Sequence, residues 1–373
     1  MDIPPSIHSF PRRASTQLVA VVALLTLLAS ACGSSSPESE AASAPIDAGE
    51  TTEVASEAES TTVPTTTVAP ATTAAPASAV APTTTAAPTT TTAPTTTVAE
   101  PVVAFNGRAI PATVTNATDA AALYIDVQRG LLTDGQPDEV YADLGHTEQV
   151  LIRSLMRNQE WIEPFRAELP DDLLVIADHH INARRELSTL HSGWTPTDNI
   201  PAWTIIEPAP LEDLISFYKS ASEQTGIDWE ILAGINLVET GMGRIDGVSS
   251  AGAQGPMQFL PTTWPEVSQG GDVTDPSDAI HGAARYLVQR GGLEDISAGL
   301  WGYNNSDHYG NAVQSYAELI RLDERNLRGF YNWEIYIGSA EGTLWLPVGY
   351  SSDEVGSAAA YIAENPWANT LTE

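Results

Sequence analysis

The chain has 373 residues, with 48 Asp and Glu against 16 Lys and Arg and a formal net charge of -32. A negative field of that strength excludes nucleic acid and anionic lipid surfaces as partners. A single cysteine, Cys32, excludes an intramolecular disulfide framework.

Residues 1–31 carry Arg12 and Arg13 ahead of an apolar run, Leu18 to Leu28, broken only by Thr26. The run is shorter than the roughly 20 residues a membrane span needs, and fits the h-region of a cleaved export signal. Ala29, Ser30 and Ala31 follow, then Cys32. The layout resembles the signal of an exported lipoprotein of actinobacterial type. That resemblance implies lipidation of Cys32, with the mature chain held at the membrane and facing the cell wall. Ala29 stands where such signals usually have leucine, and an ordinary secretory signal with an incidental cysteine is the alternative. Residues 32–101 are dominated by Ser, Thr, Ala, Pro and acids, and Thr83 to Thr97 contains no aromatic. Such a segment buries too little to offset the entropy of ordering. A disordered tether is expected, with a reach on the order of 100–200 Å.

Residues 102–204 read as a helical accessory region. Leu144 to Leu155 and Leu173 to Leu190 repeat apolar residues three or four apart, with Pro164, Pro170 and Pro196 as punctuation. His179 and His180 are adjacent, so on a helix they point about 100° apart and cannot share a metal. They are expected at the surface or an interface.

The next helix is expected from Leu211 to Thr225, after Pro208 and Pro210 and ahead of Gly226. Asp228 is placed as N-cap of a following helix that is apolar on most of its circumference, with Trp229, Leu232, Ile235, Asn236 and Glu239 three or four apart. Glu239 closes this helix just before Thr240 and Gly241. Apolar neighbours and the negative end of the helix dipole both raise the pKa of a carboxyl there. Ser249 to Trp264 is a glycine- and proline-rich loop containing Gly255, Met257 and Gln258, with Phe259 assigned to the core. Asp275-Pro276-Ser277-Asp278 starts a helix running to Leu287. Gly270-Gly271-Asp272 lacks the alternating oxygen ligands of a calcium loop. Ser306 or Asp307 caps a last long helix holding Val313, Tyr316, Leu319 and Ile320. Beyond it, residues 326–373 alternate Phe330, Tyr331, Trp333, Tyr336 and Trp345 with polar residues and glycines, the pattern of a buried hairpin or apron.

Four stretches recur in a fixed order: Val238 to Gly241, Ala253 to Phe259, Asp275 to Leu287, and Tyr303 to Ser306. Together they resemble the SLT-type catalytic domain of lytic transglycosylases, lysozyme-like enzymes that cut peptidoglycan glycan strands, over about residues 205–325. Pro256 replaces the leucine of the family's Gly-Leu-Met-Gln motif, and Gly302 the alanine of its Ala-Tyr-Asn motif. The resemblance implies a mainly α fold: a lysozyme-like catalytic domain, an added N-terminal helical region and a short C-terminal β or irregular apron. It also implies Glu239 as the catalytic acid, with Thr240, Met257, Gln258, Tyr303 and Asn304 binding the glycan. The Tyr303 hydroxyl is expected to orient the Glu239 carboxyl. In the family one glutamate acts twice, protonating the N-acetylmuramic acid–N-acetylglucosamine bond and then deprotonating the muramyl 6-hydroxyl to give a 1,6-anhydro end. No cofactor or metal is implied, and no protein partner is specified. Two alternatives stand: a hydrolytic muramidase on the same fold with Asp246 as second carboxylate, and a non-catalytic lipoprotein that binds cell wall. A solute-binding lipoprotein is disfavoured because no alternating strand–helix pattern is present.

Overall fold

The computed structural model describes residues 102–369, so the export signal, Cys32 and the tether lie outside the described residues. The accessory region supplies α1 (Ala117–Leu131), α2 (Asp138–Arg157), α3 (Ile162–Glu168) and α4 (Asp171–Leu190). Asn116 caps α1 by accepting from the Asp119 amide at 2.9 Å, and Asp138 and Glu139 begin α2 at its positive dipole end. Pro164 does not separate helices as expected. It sits in the first turn of α3, where a missing N–H costs no intrahelical bond.

Two short strands follow, β1 (Asn199–Ile200) and β2 (Trp203–Ile205), then α5 (Leu211–Thr225), α6 (Trp229–Thr240) and β3 (Ile245–Gly247). The chain continues through α7 (Trp264–Val267), α8 (Pro276–Gln289), α9 (Ile296–Asn304), α10 (Asp307–Leu322) and α11 (Leu327–Tyr331). It ends with β4 (Ile335–Ser339), β5 (Gly342–Leu346), β6 (Gly356–Ser357) and α12 (Ala358–Glu364). The strands form three antiparallel pairs, β1 with β6, β2 with β3, and β4 with β5. The expected C-terminal hairpin is β4–β5, with Tyr336 opposite Trp345 and both buried.

Helix α6 runs through the main core and is buried from Ile231 to Thr240. Helix α10 lies against it so closely that a Cβ on Gly234 would stand 2.9 Å from the Val313 carbonyl oxygen. Helix α4 packs along α10, and α5 along α8, so α4 shares the main core. Two smaller cores lie under the C-terminal hairpin and among α1 to α4. Asp228 stands at the N-cap of α6 but makes no capping bond. Its carboxylate is drawn to Arg321 on α10, at 3.0 Å, because the ion pair competes for the same oxygens. His180 is wholly buried, accepting from or donating to the Tyr124 hydroxyl at 3.0 Å. Among the described residues no helix is long and apolar enough to cross a membrane.

Candidate active site

The last turn of α6 carries Glu239, and Gly241, at φ +60°, ends the helix in the left-handed region. Glu239 is 1% exposed. Its Oε1 accepts a hydrogen bond from the Tyr309 hydroxyl at 2.7 Å, while Oε2 is buried without a hydrogen-bond partner. Burial pushes its pKa up to about 8, against a smaller opposing effect of the Tyr309 hydrogen bond. At pH 7 roughly ten carboxyls are therefore protonated for each one ionised. Oε2, which makes no hydrogen bond, is the oxygen left to carry that proton.

The sequence pointed to the Tyr303 hydroxyl as the group that orients the acid. The structure gives that position to Tyr309, in the first turn of α10, six residues further on. Tyr303 donates instead to the Met257 carbonyl oxygen at 2.7 Å, because its ring at the end of α9 lies over the motif loop. The two rings are parallel, with centroids 6.2 Å apart. Burial first, and the Glu239 charge second, raise the pKa of both phenols, so both remain hydrogen-bond donors.

The Gln254–Phe259 loop is closed by reciprocal backbone bonds of 2.9 Å between its end residues. Gly255 has φ +73°, and a Cβ there would meet the Val273 carbonyl oxygen at 1.8 Å, so neither the turn nor the close approach admits a side chain. Asn236 and Thr240 fasten this loop to α6. The Thr240 hydroxyl donates to the Pro256 carbonyl oxygen at 2.7 Å, and Asn236 Nδ2 donates to the same oxygen at 2.9 Å. The Tyr218 hydroxyl from α5 in turn holds Asn236 Oδ1 at 2.6 Å.

Of the residues the sequence nominated for the glycan, Thr240 and Met257 have side chains with no exposed surface. Their position makes them braces of the loop beside the acid. Gln258, at φ +50°, turns its amide back to the Gly255 carbonyl at 3.0 Å and is 7% exposed. Tyr303 and Asn304 are half-buried, and Asn304 lines a pocket. Tyr309 carried no signal in the sequence beyond its place in a capped first turn. Asn236 carried one, a lone amide three residues before Glu239 on an otherwise apolar helix.

A pocket of about 30 Å³ is lined by Val238 and Tyr309, the chain neighbour and the hydrogen-bond partner of Glu239, and by Gly241 and Asn304. Leu187, His191, Trp333, Glu334 and Ile335 also line it. Glu334 is taken by Arg108 at 2.5 Å and by the Trp345 indole N–H at 3.2 Å. Asp246 is exposed on β3, opposite Thr204 in register. Among the described residues no group of three or more His, Cys, Asp or Glu side chains is arranged to hold a metal.

No curated protein and no solved structure matches the chain. Residues 216–317, from α5 into α10, match the family model described as Transglycosylase SLT domain, which supports a lytic transglycosylase acting on peptidoglycan.

Proposed function

We propose that the protein cleaves the β-1,4 bond between N-acetylmuramic acid and N-acetylglucosamine and leaves 1,6-anhydromuramyl ends. The observation that carries this reading is the buried carboxyl of Glu239, with one oxygen held by Tyr309 and the other without a hydrogen-bond partner. A carboxyl with a pKa of about 8 arrives at the substrate protonated, as a general acid must. Glu239 Oε2–H donates to the departing N-acetylglucosamine oxygen as the C1–O bond breaks. The resulting carboxylate, steadied by Tyr309, takes the proton of the muramyl 6-hydroxyl while that oxygen bonds to C1. The proton balance closes on one residue, and no water enters.

A hydrolytic route needs a second carboxylate within about 5–9.5 Å of the first. Asp246 is the sequence's candidate, and its exposed place on a strand outside the α6–α10 core argues against it. Tyr303, Asn304 and Gln258 are proposed to contact sugar substituents, and Thr240 and Met257 to hold the loop that presents them. An apolar h-region followed by Cys32 supports export and lipid anchoring, and the Thr- and Pro-rich composition of residues 32–101 supports a spacer toward the wall. The test is digestion of purified peptidoglycan. The native enzyme solubilises it, and Glu239→Gln, with its fold verified by circular dichroism, does not. Undiminished release by that variant removes Glu239 from the acid's role.

A further inference from the structure

Arg153 on α2 and Arg184 on α4 are 4% and 3% exposed. Nε and Nη2 of Arg153, and Nε and Nη1 of Arg184, are buried without a hydrogen-bond partner, as is the hydroxyl of Tyr316 on α10. Among the described residues neither guanidinium has a carboxylate oxygen within 4.0 Å, whereas most of the surface arginines do. The face of Tyr336, 4.3 Å from the Arg153 guanidinium carbon, offers a cation–π contact but no acceptor atom.

Burying an unpaired ion costs several kcal/mol even after relaxation, and an arginine does not escape by losing its proton. Burial and the charge of Arg184 both oppose the charge on Arg153. Arg157, half-buried beside them, adds to the repulsion on Arg184. The nearby carboxyls are committed elsewhere. Glu148 is held by Gln128 at 2.5 Å and by the Trp333 indole at 2.8 Å, and burial pushes its pKa up to about 7. Glu334 is paired with Arg108. A chain with 48 acidic residues thus leaves these two enclosed arginines without one.

The pocket described above adjoins this cluster, although neither arginine lines it. Tyr316 lines it, Gln149 lines it one turn before Arg153 on α2, and Leu187 lines it one turn after Arg184 on α4.

We infer that Arg153, Arg184 and Tyr316, at the junction of α2, α4 and α10, bind one small monovalent anion, either a free halide or a ligand carboxylate. The anion takes hydrogen bonds from the unpartnered N–H groups and the Tyr316 hydroxyl, and locks the accessory helices onto the catalytic core. This site stands on the packing of α2 and α4 and is independent of the reaction assigned to Glu239.

The test is thermal unfolding of the full chain in sodium chloride against sodium isethionate at one ionic strength, which holds constant the screening of the -32 charge. Native protein is expected to show a saturable rise in Tm of about 3–6 °C in chloride. Arg184→Met is expected to lose that rise. Tyr316→Phe, which keeps the ring and removes only the hydroxyl, is expected to raise the half-saturating chloride concentration about tenfold, and keeps the test decisive if the arginine variant does not fold. Binding of peptide-bearing peptidoglycan fragments distinguishes the two sources. Competition by chloride identifies a carboxylate of the peptide, and indifference identifies a free halide. Equal Tm in both salts, or a chloride rise that survives in Arg184→Met, overturns the inference.

Discussion

Replacing Glu239 by Gln should stabilise the protein, and the gain should grow with pH. In the folded chain the carboxyl holds its proton to about pH 8, whereas its ordinary value is 4.5. Below pH 4.5 both folded and unfolded chains carry the proton, and the stability associated with the neutral buried form is fully present. Between pH 4.5 and 8 the unfolded chain ionises while the folded chain does not, so that stability is lost as pH rises. The difference of 3.5 units, at 1.36 kcal/mol each, sets a ceiling of about 5 kcal/mol at pH 8. Glutamine matches the shape of the protonated acid, keeps an acceptor for the Tyr309 hydroxyl and never ionises. The gap between variant and native protein should therefore widen from near zero at pH 4 to about 3–5 kcal/mol at pH 8, a Tm difference of roughly 5–15 °C. Paired thermal melts across that range cancel the titration of the other carboxylates. A gap that stays flat from pH 4 to 8 would refute the burial argument for Glu239.

Tyr309→Phe removes a hydrogen bond to the ionised carboxylate worth about 1.5–3 kcal/mol, so the alkaline limb of the pH–rate profile should move up by about 1–2 units and kcat should fall at least tenfold. An unchanged limb would show that the 2.7 Å contact does not act on the acid. Thr240→Val, which leaves the buried Pro256 carbonyl with one donor fewer, should cost about 1–3 kcal/mol of stability and lower kcat more than it raises KM; denaturant melts and steady-state kinetics check both. Asp246→Asn should leave glycan release within about twofold of native, and a hundredfold loss would revive the second-carboxylate route.

Much of the fold was legible because it rests on local chemistry. Gly226 and Gly241 end α5 and α6 in the left-handed region, as glycines after an apolar period predict. Asp275 caps α8 by accepting from the Asp278 amide at 2.9 Å, as its proline-and-acid start predicts. The raised pKa of Glu239 followed from its position in an apolar helix, where burial is the cause and the helix dipole is not needed. What could not be read is what depends on distant chain. Tyr309 and Tyr303 are six residues apart, and only the crossing of α10 over α6 decides which hydroxyl meets the carboxyl. Asp228 has cap chemistry, but Arg321, 93 residues away, takes its oxygens. Arg153 and Arg184 sit in ordinary amphipathic stretches, and their isolation from carboxylates appears only once α2, α4 and α10 meet.

The central claim is that one glutamate supplies both proton transfers, and the ends of the released glycans test it most directly. Mass spectrometry of muropeptides released from purified peptidoglycan by the native enzyme should show 1,6-anhydromuramyl ends, one water lighter than hydrolytic ends. Reducing muramic acid ends from the same digest would contradict single-glutamate chemistry and require a second carboxylate to activate water.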